Sequence, residues 1–193
     1  FIENTNDLNF KYVFVCGHGV VPQAIIIAHQ LNIPLCAIQK PCGYPAFFFK
    51  YMFVPYHDLF KYPRSNQIST IIAPNSFIFN QNITGRLGNV VSVLLGGSMH
   101  KKLYNIEAIK TMFETLKQKA YVKLNVLTSR RTPSHLLTYL TENNIKTNTL
   151  PDAIKDAYYT SGLVLITDDS YSMISEAIQS GIVPVVIRTG NLN

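Results

Sequence analysis

Residues 90–98 read VVSVLLGGS. Five of the first six are apolar, the run is too short for a helix, and it stops on two glycines. That is the pattern of a strand buried on both faces, as in a parallel sheet, closing on a tight turn. The next run, 103–119, carries Ile106, Ile109, Met112, Phe113 and Leu116 at helical spacing. The β-then-α alternation then repeats. The reading gives strands at 122–128, 163–167 and 183–187, extended chain at 145–150, and helices at 133–143, 151–159 and 171–180. Pro133 at a first helical turn and Gly181 just after a last one suit their positions.

The N-terminal part has the same rhythm. KYVFVC (11–16) reads as a strand ending in Gly17-His18-Gly19, 22–31 as a helix broken by Pro34, and 35–39 as a strand. Shorter strands are expected at 52–55 and 70–73, with the polar segment 62–69 as a loop and 75–82 ambiguous. Strands alternating with helices imply an α/β fold with parallel sheets. The expected architecture is therefore two Rossmann-like domains, residues 1–85 and 86–193. A chain that opens on Phe1 and stops soon after a strand is expected to be a fragment, with both domains truncated.

Composition narrows the class. The chain has 193 residues, of which 47% are hydrophobic and 15% charged, enough for a core and unlike a disordered chain. Seventeen Lys and Arg against eleven Asp and Glu give a net charge of +6. The cations are scattered; His100-Lys101-Lys102 and Ser129-Arg130-Arg131 are the tightest groups, which argues against nucleic acid and leaves small anions or a lipid surface. Cys16, Cys36 and Cys42 have no metal-ligand or disulfide spacing and read as reduced thiols. No apolar run is long enough to span a bilayer and no signal peptide is evident. A cytoplasmic protein is expected, with peripheral contact at the inner membrane as its one membrane role. The cluster Phe47-Phe48-Phe49 is the segment that could touch lipid, core or interdomain packing being its other reading.

Four segments could carry chemistry. Gly96-Gly97-Ser98 follows a buried strand, where glycines let backbone N–H groups approach a phosphate; it is neither a Walker loop nor G-x-G-x-x-G. Ser129-Arg130-Arg131-Thr132-Pro133 lies between a strand and a helix. Thr132 is placed to cap that helix, and the two arginines offer bidentate donors to a diphosphate at its positive end. In the run from Asp168 to Ala177, a helix beginning near Ser170 aligns Asp169, Ser172 and Glu176 on one face, suited to sugar or ribose hydroxyls. Asp168 and Asp169 could hold a divalent ion, but no histidine lies near them, and no metal or resident cofactor is expected. Gly17-His18-Gly19 leaves an accessible imidazole that suits a general base. His57-Asp58 is a weaker pair, since adjacent residues do not face each other.

Taken together, LLGGS (94–98), SRRTP (129–133) and TDDSYSMISEA (167–177), followed by Gly181 and Pro184, resemble the bacterial and plant family of mitochondrial-fission-factor-like proteins of the "elongated mitochondria" type. Gly17-His18-Gly19 and Pro55-Tyr56-His57-Asp58 are similar too. Bacterial members have also been described as predicted nucleoside-diphosphate-sugar epimerases. The family looks like the GT-B glycosyltransferases, whose two Rossmann-like domains face a cleft. The resemblance implies a nucleotide diphosphate sugar as substrate, held by the C-terminal domain without a metal. Gly96, Gly97 and Ser98 would line the diphosphate, Arg130 and Arg131 neutralise it, and Ser170, Ser172 and Glu176 hold donor phosphate, sugar or ribose. His18 would serve an acceptor of unspecified identity, with cell-envelope glycans as the expected context. Two departures exist: the family's proline and lysine after Gly-Gly are replaced by Ser98-Met99-His100-Lys101, and the expected truncation of the ends removes what would close the cleft. Neither a G-x-G-x-x-G at the first strand nor a Tyr-x-x-x-Lys pair supports the hydride chemistry of an epimerase. The alternatives are a non-catalytic GT-B-like adaptor in membrane or organelle dynamics and a non-hydride epimerase using Asp168 and Asp169.

Overall fold

The structure is a computed structural model and describes residues 9–77, 86–97, 105–149 and 151–190. The chain divides into two units, Phe1–Pro74 and Asn75–Asn193. Each is built on its own sheet, one of four strands and one of five, and every strand pairing in both is parallel.

In the first unit, β1 (Val13–Cys16), β2 (Leu35–Ile38), β3 (Tyr51–Pro55) and β4 (Gln67–Thr70) lie side by side in chain order. One row across the sheet runs Val15, Ala37, Met52, Gln67. Its apolar members join Leu35 and Val54 in a buried cluster with Ala24 and Ala28 of helix α1 (Val21–Gln30). The small alanines let α1 lie close to the sheet. Pro22 sits in its first turn, where a missing N–H costs nothing.

The strand expected at 70–73 lies earlier, inside the segment read as a polar loop. Polar residues occupy β4 because it is an edge strand, paired only to β3, so Gln67 and Ser69 need not be apolar. Ile71, whose β-branching favoured the later placement, is exposed beyond the strand's end.

In the second unit the elements run β5 (Leu87–Leu95), α2 (Glu107–Lys117), β6 (Lys123–Thr128), α3 (Ser134–Glu142), β7 (Thr147–Asn148), α4 (Pro151–Thr160), β8 (Ser161–Thr167), α5 (Tyr171–Gln179) and β9 (Val185–Ile187). Their order in the sheet is β7-β6-β5-β8-β9. Numbered within the unit this is 3-2-1-4-5, the doubly wound Rossmann-like order. The alternation of β5 explains the layering. Val91, Val93 and Leu95 pack on Ile109 and Phe113 of α2 and on Leu136 and Leu140 of α3. Leu94 belongs to the other cluster, with Ala157 and Tyr158 of α4 and Ala177 of α5. Each fully buried Leu, Ile or Phe contributes roughly 1.5–3 kcal/mol, so a strand buried on both faces holds three layers together.

Three helices stop in the same way. Asn32, Asn144 and Gly181 follow α1, α3 and α5 in the left-handed region, at φ 51°, 53° and 85°. The next residue, an isoleucine each time, donates its N–H back into the last turn: Ile33 to Ala28, Ile145 to Leu140 and Ile182 to Ala177. This closes the helix ends and buries an apolar side chain against them. Among the described residues, no helix is long and apolar enough to cross a membrane.

Candidate functional site

The strand order of the second sheet reverses between β5 and β8, because the chain leaves β5 toward β6 and β7 and returns to its other side with β8. Loops leaving the carboxyl ends of such neighbours diverge and open a crevice, the usual ligand position in open α/β sheets. The loop after β5 carries Gly96 and Gly97, the loop after β6 carries Ser129 to Thr132, and the loop after β8 carries Asp168 to Ser170. Ser98 lies outside the described residues.

These three loops touch. A Cβ on Gly96 would stand 2.7 Å from both carboxylate oxygens of Asp169, and a Cβ on Gly97 would overlap the carbonyl of Arg131. The glycines are therefore required by neighbouring protein, before any ligand is considered. The N–H of Gly96 donates to the Thr167 hydroxyl at 2.8 Å, inside the core. Gly96 makes room for the Asp169 carboxylate, and its own donor is already used.

Thr132 has a different role from the expected helix cap. Pro133 occupies the cap position of α3, with no side-chain cap bond. The buried Thr132 hydroxyl instead donates toward the carbonyls of Leu95 and Gly96, each 2.9 Å away, and accepts the Ser129 N–H at 2.8 Å. It ties the β6 loop to the end of β5. Pro133 is itself extended, at φ −59° and ψ 140°, so the helix starts one step later than expected. The Ser129 hydroxyl accepts the Arg131 N–H at 3.1 Å and so shapes the loop. Both arginines are exposed and form no salt bridge among the described residues. With no side-chain cap, the first N–H groups of α3 stay open to an anion.

On the β8 side, Asp168 accepts both the N–H and the hydroxyl of Thr189, at 2.9 and 2.7 Å. It pins the segment after β9 through one of its two carboxylate oxygens. Asp169 differs: both of its carboxylate oxygens are buried without a hydrogen-bond partner. Ser170, also buried, precedes α5 at the cap position and makes no side-chain cap bond. One turn on, Ser172 donates to Glu176 at 3.3 Å, and Tyr158 of α4 donates to Glu176 at 3.4 Å and to the Met173 carbonyl at 2.9 Å. Burial raises the Glu176 carboxyl above the ordinary glutamate range, partly offset by the bonds from Ser172 and Tyr158. Burial also pushes the Tyr158 phenol up, reinforced by the Glu176 charge, so Tyr158 stays a donor. Sequence reading did not single out Tyr158, Thr167 or Thr189; each is an ordinary residue in an apolar or loop setting, and only the folded partner gives it a role.

In the first unit, Gly17 turns the chain after β1 at φ 98°, and His18 follows in a short 3-10 turn, His18–Val20. His18 is exposed, with its ring 5.3 Å from that of Tyr44. It lies at the carboxyl edge of its own sheet. His57 and Asp58 share the 3-10 turn Tyr56–Asp58 after β3.

Two parallel α/β units, the second with a Rossmann-like strand order, define a doubly wound class of fold. Within it, residues 10–190 match the family described as mitochondrial fission ELM1, and the chain belongs to that family. Neither a curated protein nor a solved structure gives a match to this chain.

Proposed function

We propose that this chain is a GT-B-like glycosyltransferase whose second unit binds a nucleotide diphosphate sugar at the crevice between β5 and β8. The observation that carries the reading is the meeting of three loops at the strand-order reversal, with Arg130 and Arg131 unpaired among the described residues and Asp169 buried without a partner. The two charge types divide the ligand. A diphosphate belongs with Arg130, Arg131 and the N-terminus of α3, where guanidinium forks and backbone N–H groups stabilise the charge that develops on the leaving group. A carboxylate repels phosphate, so Asp169 takes hydroxyl donors of the ribose or sugar, with Ser170 and Ser172 beside it in sequence.

The reaction is displacement at the anomeric carbon. The acceptor hydroxyl forms the new glycosidic bond, the bond to the diphosphate breaks, and the acceptor proton passes to a base. The arginines do the work a metal does in other transferases, and no resident cofactor is invoked.

Thermal unfolding with a panel of nucleoside diphosphates and their sugars tests the reading, alongside Arg130→Ala/Arg131→Ala. A ligand at about 100 times its Kd adds about 2.7 kcal/mol of stability. A shift with one nucleotide, lost in the variant, supports the donor site and names the base. No shift at millimolar ligand overturns it in favour of a non-catalytic protein of the same fold.

A further inference from the structure

At the edge of the first sheet opposite His18, the 3-10 turn Ala46–Phe48 leads into β3. The Asn66 side-chain amide donates to the Ala46 carbonyl at 2.8 Å and to the Phe49 carbonyl at 2.7 Å, holding both ends of the turn. Phe49 is 3% exposed and anchors in the core, whereas Phe47 is 79% and Phe48 40% exposed, their rings 4.5 Å apart. The turn is thus fixed from both sides with two phenyl rings pointed at water. Beside them runs an open groove of about 820 Å³ between the end of α1 and the starts of β2 and β3. Ile25, Ile33 and Leu35 help to line it, and among the described residues His29 and Lys50 are its ionisable ones and no carboxylate lines it. Residues 1–74 carry five Lys and Arg against three carboxylates, Glu3, Asp7 and Asp58.

We infer that this face docks on an anionic phospholipid bilayer, with Phe47 and Phe48 entering the headgroup–acyl boundary and Lys50 meeting lipid phosphates. Aromatic rings favour that boundary, and a cation beside them adds attraction to acidic lipid. Lys50 beside the two exposed rings favours an anionic surface. A single-stranded nucleic acid would need a track of cations along the groove; here one lysine flanks a hydrocarbon lining. The inference is independent of the nucleotide site, which lies in the other unit.

The chain has no tryptophan, so Phe47→Trp in the full chain places a single indole at the turn. With phosphatidylcholine vesicles containing phosphatidylglycerol, its emission should shift to the blue and the protein should co-sediment. Pure phosphatidylcholine should give neither, and added salt should weaken both. Phe47→Ala/Phe48→Ala should lower partitioning at least about tenfold, and Lys50→Glu about tenfold, with unchanged thermal unfolding since these side chains lie outside the core. The inference is overturned by an unshifted indole, by a double alanine variant that sediments like the parent, or by preference for a single-stranded oligonucleotide over the acidic vesicles.

Discussion

The α-carbon of Gly97 packs against the carbonyl of Arg131, so closely that any side chain at 97 would overlap that oxygen. The loop that presents the two arginines is thus positioned by a glycine on the neighbouring strand's end. Gly97→Ala must push the loops apart, and we expect a loss of about 2 kcal/mol or more in urea unfolding, in the range of overpacked sites. Gly19, by contrast, has open space around its missing Cβ, and Gly19→Ala should stay within about 0.5 kcal/mol of the parent. Equal effects at the two positions would show that the close approach is not what Gly97 supplies.

Gly96 and Asp169 should be energetically coupled. Alanine at 96 meets the carboxylate at 2.7 Å and should cost about 1–3 kcal/mol. Asp169→Ala alone should be neutral or stabilising, because it removes buried oxygens that have no hydrogen-bond partner. The double variant should then recover at least about 1 kcal/mol relative to the sum. Additive effects would mean the carboxylate is not the obstacle. The same Asp169→Ala protein should lose affinity for a nucleotide sugar, a stability gain at the expense of binding.

The centre of the second sheet was legible in the sequence because β5 and β8 are buried along most of their length and so read as nearly unbroken apolar runs, as in VVSVLL and LVLIT. The edge strand β4 was not, since an edge tolerates Gln67 and Ser69 and leaves no hydrophobic signal. Gly96, Gly97, Ser129, Arg130 and Arg131 could be singled out as strand-end motifs. Which of their groups are already engaged could not, because the partners are distant in the chain: Thr167 for Gly96, and Leu95 and Gly96 for Thr132. The same holds for the buried hydroxyls of Ser92 and Ser161, 2.7 Å apart with Asn125 donating to Ser92. Each looks like a polar slip in its own strand, and only the register of three strands makes them satisfy one another.

Glu176 should make stability depend on pH. Its carboxyl is raised in the folded chain, chiefly by burial, above its ordinary value. Between the two values the folded state holds a proton that the unfolded state has released. Its stabilising contribution is therefore complete below the unfolded value and is lost as pH rises through the folded one. Glu176→Gln keeps an acceptor for Tyr158 and Ser172 without the charge, so unfolding free energies measured by urea across acidic to neutral pH should lose that decline. Tyr158→Phe should cost about 1–2 kcal/mol by leaving the Met173 carbonyl without its donor. A Glu176→Gln profile parallel to the parent's would assign the pH dependence to other groups.

Asp168 and Thr189 form the clamp that closes the site's far side. One carboxylate oxygen takes two donors from Thr189, whose carbonyl in turn accepts the Asn105 N–H at 2.7 Å. The clamp therefore joins the ends of β8 and β9 to the residue two before α2. Charged hydrogen bonds of this kind are worth about 1.5–3 kcal/mol, and Thr189 is buried, so its donors have no water to turn to. Asp168→Ala should destabilise by about 2–4 kcal/mol, and Thr189→Val, which removes only the hydroxyl, by about 1–2 kcal/mol. In hydrogen exchange, the Thr189 and Asn105 amides should lose protection together in Asp168→Ala while the amides of β5 keep theirs. Uniform loss across the sheet would mean that Asp168 supports the whole core, and retention at Asn105 would mean that the clamp ends at Thr189.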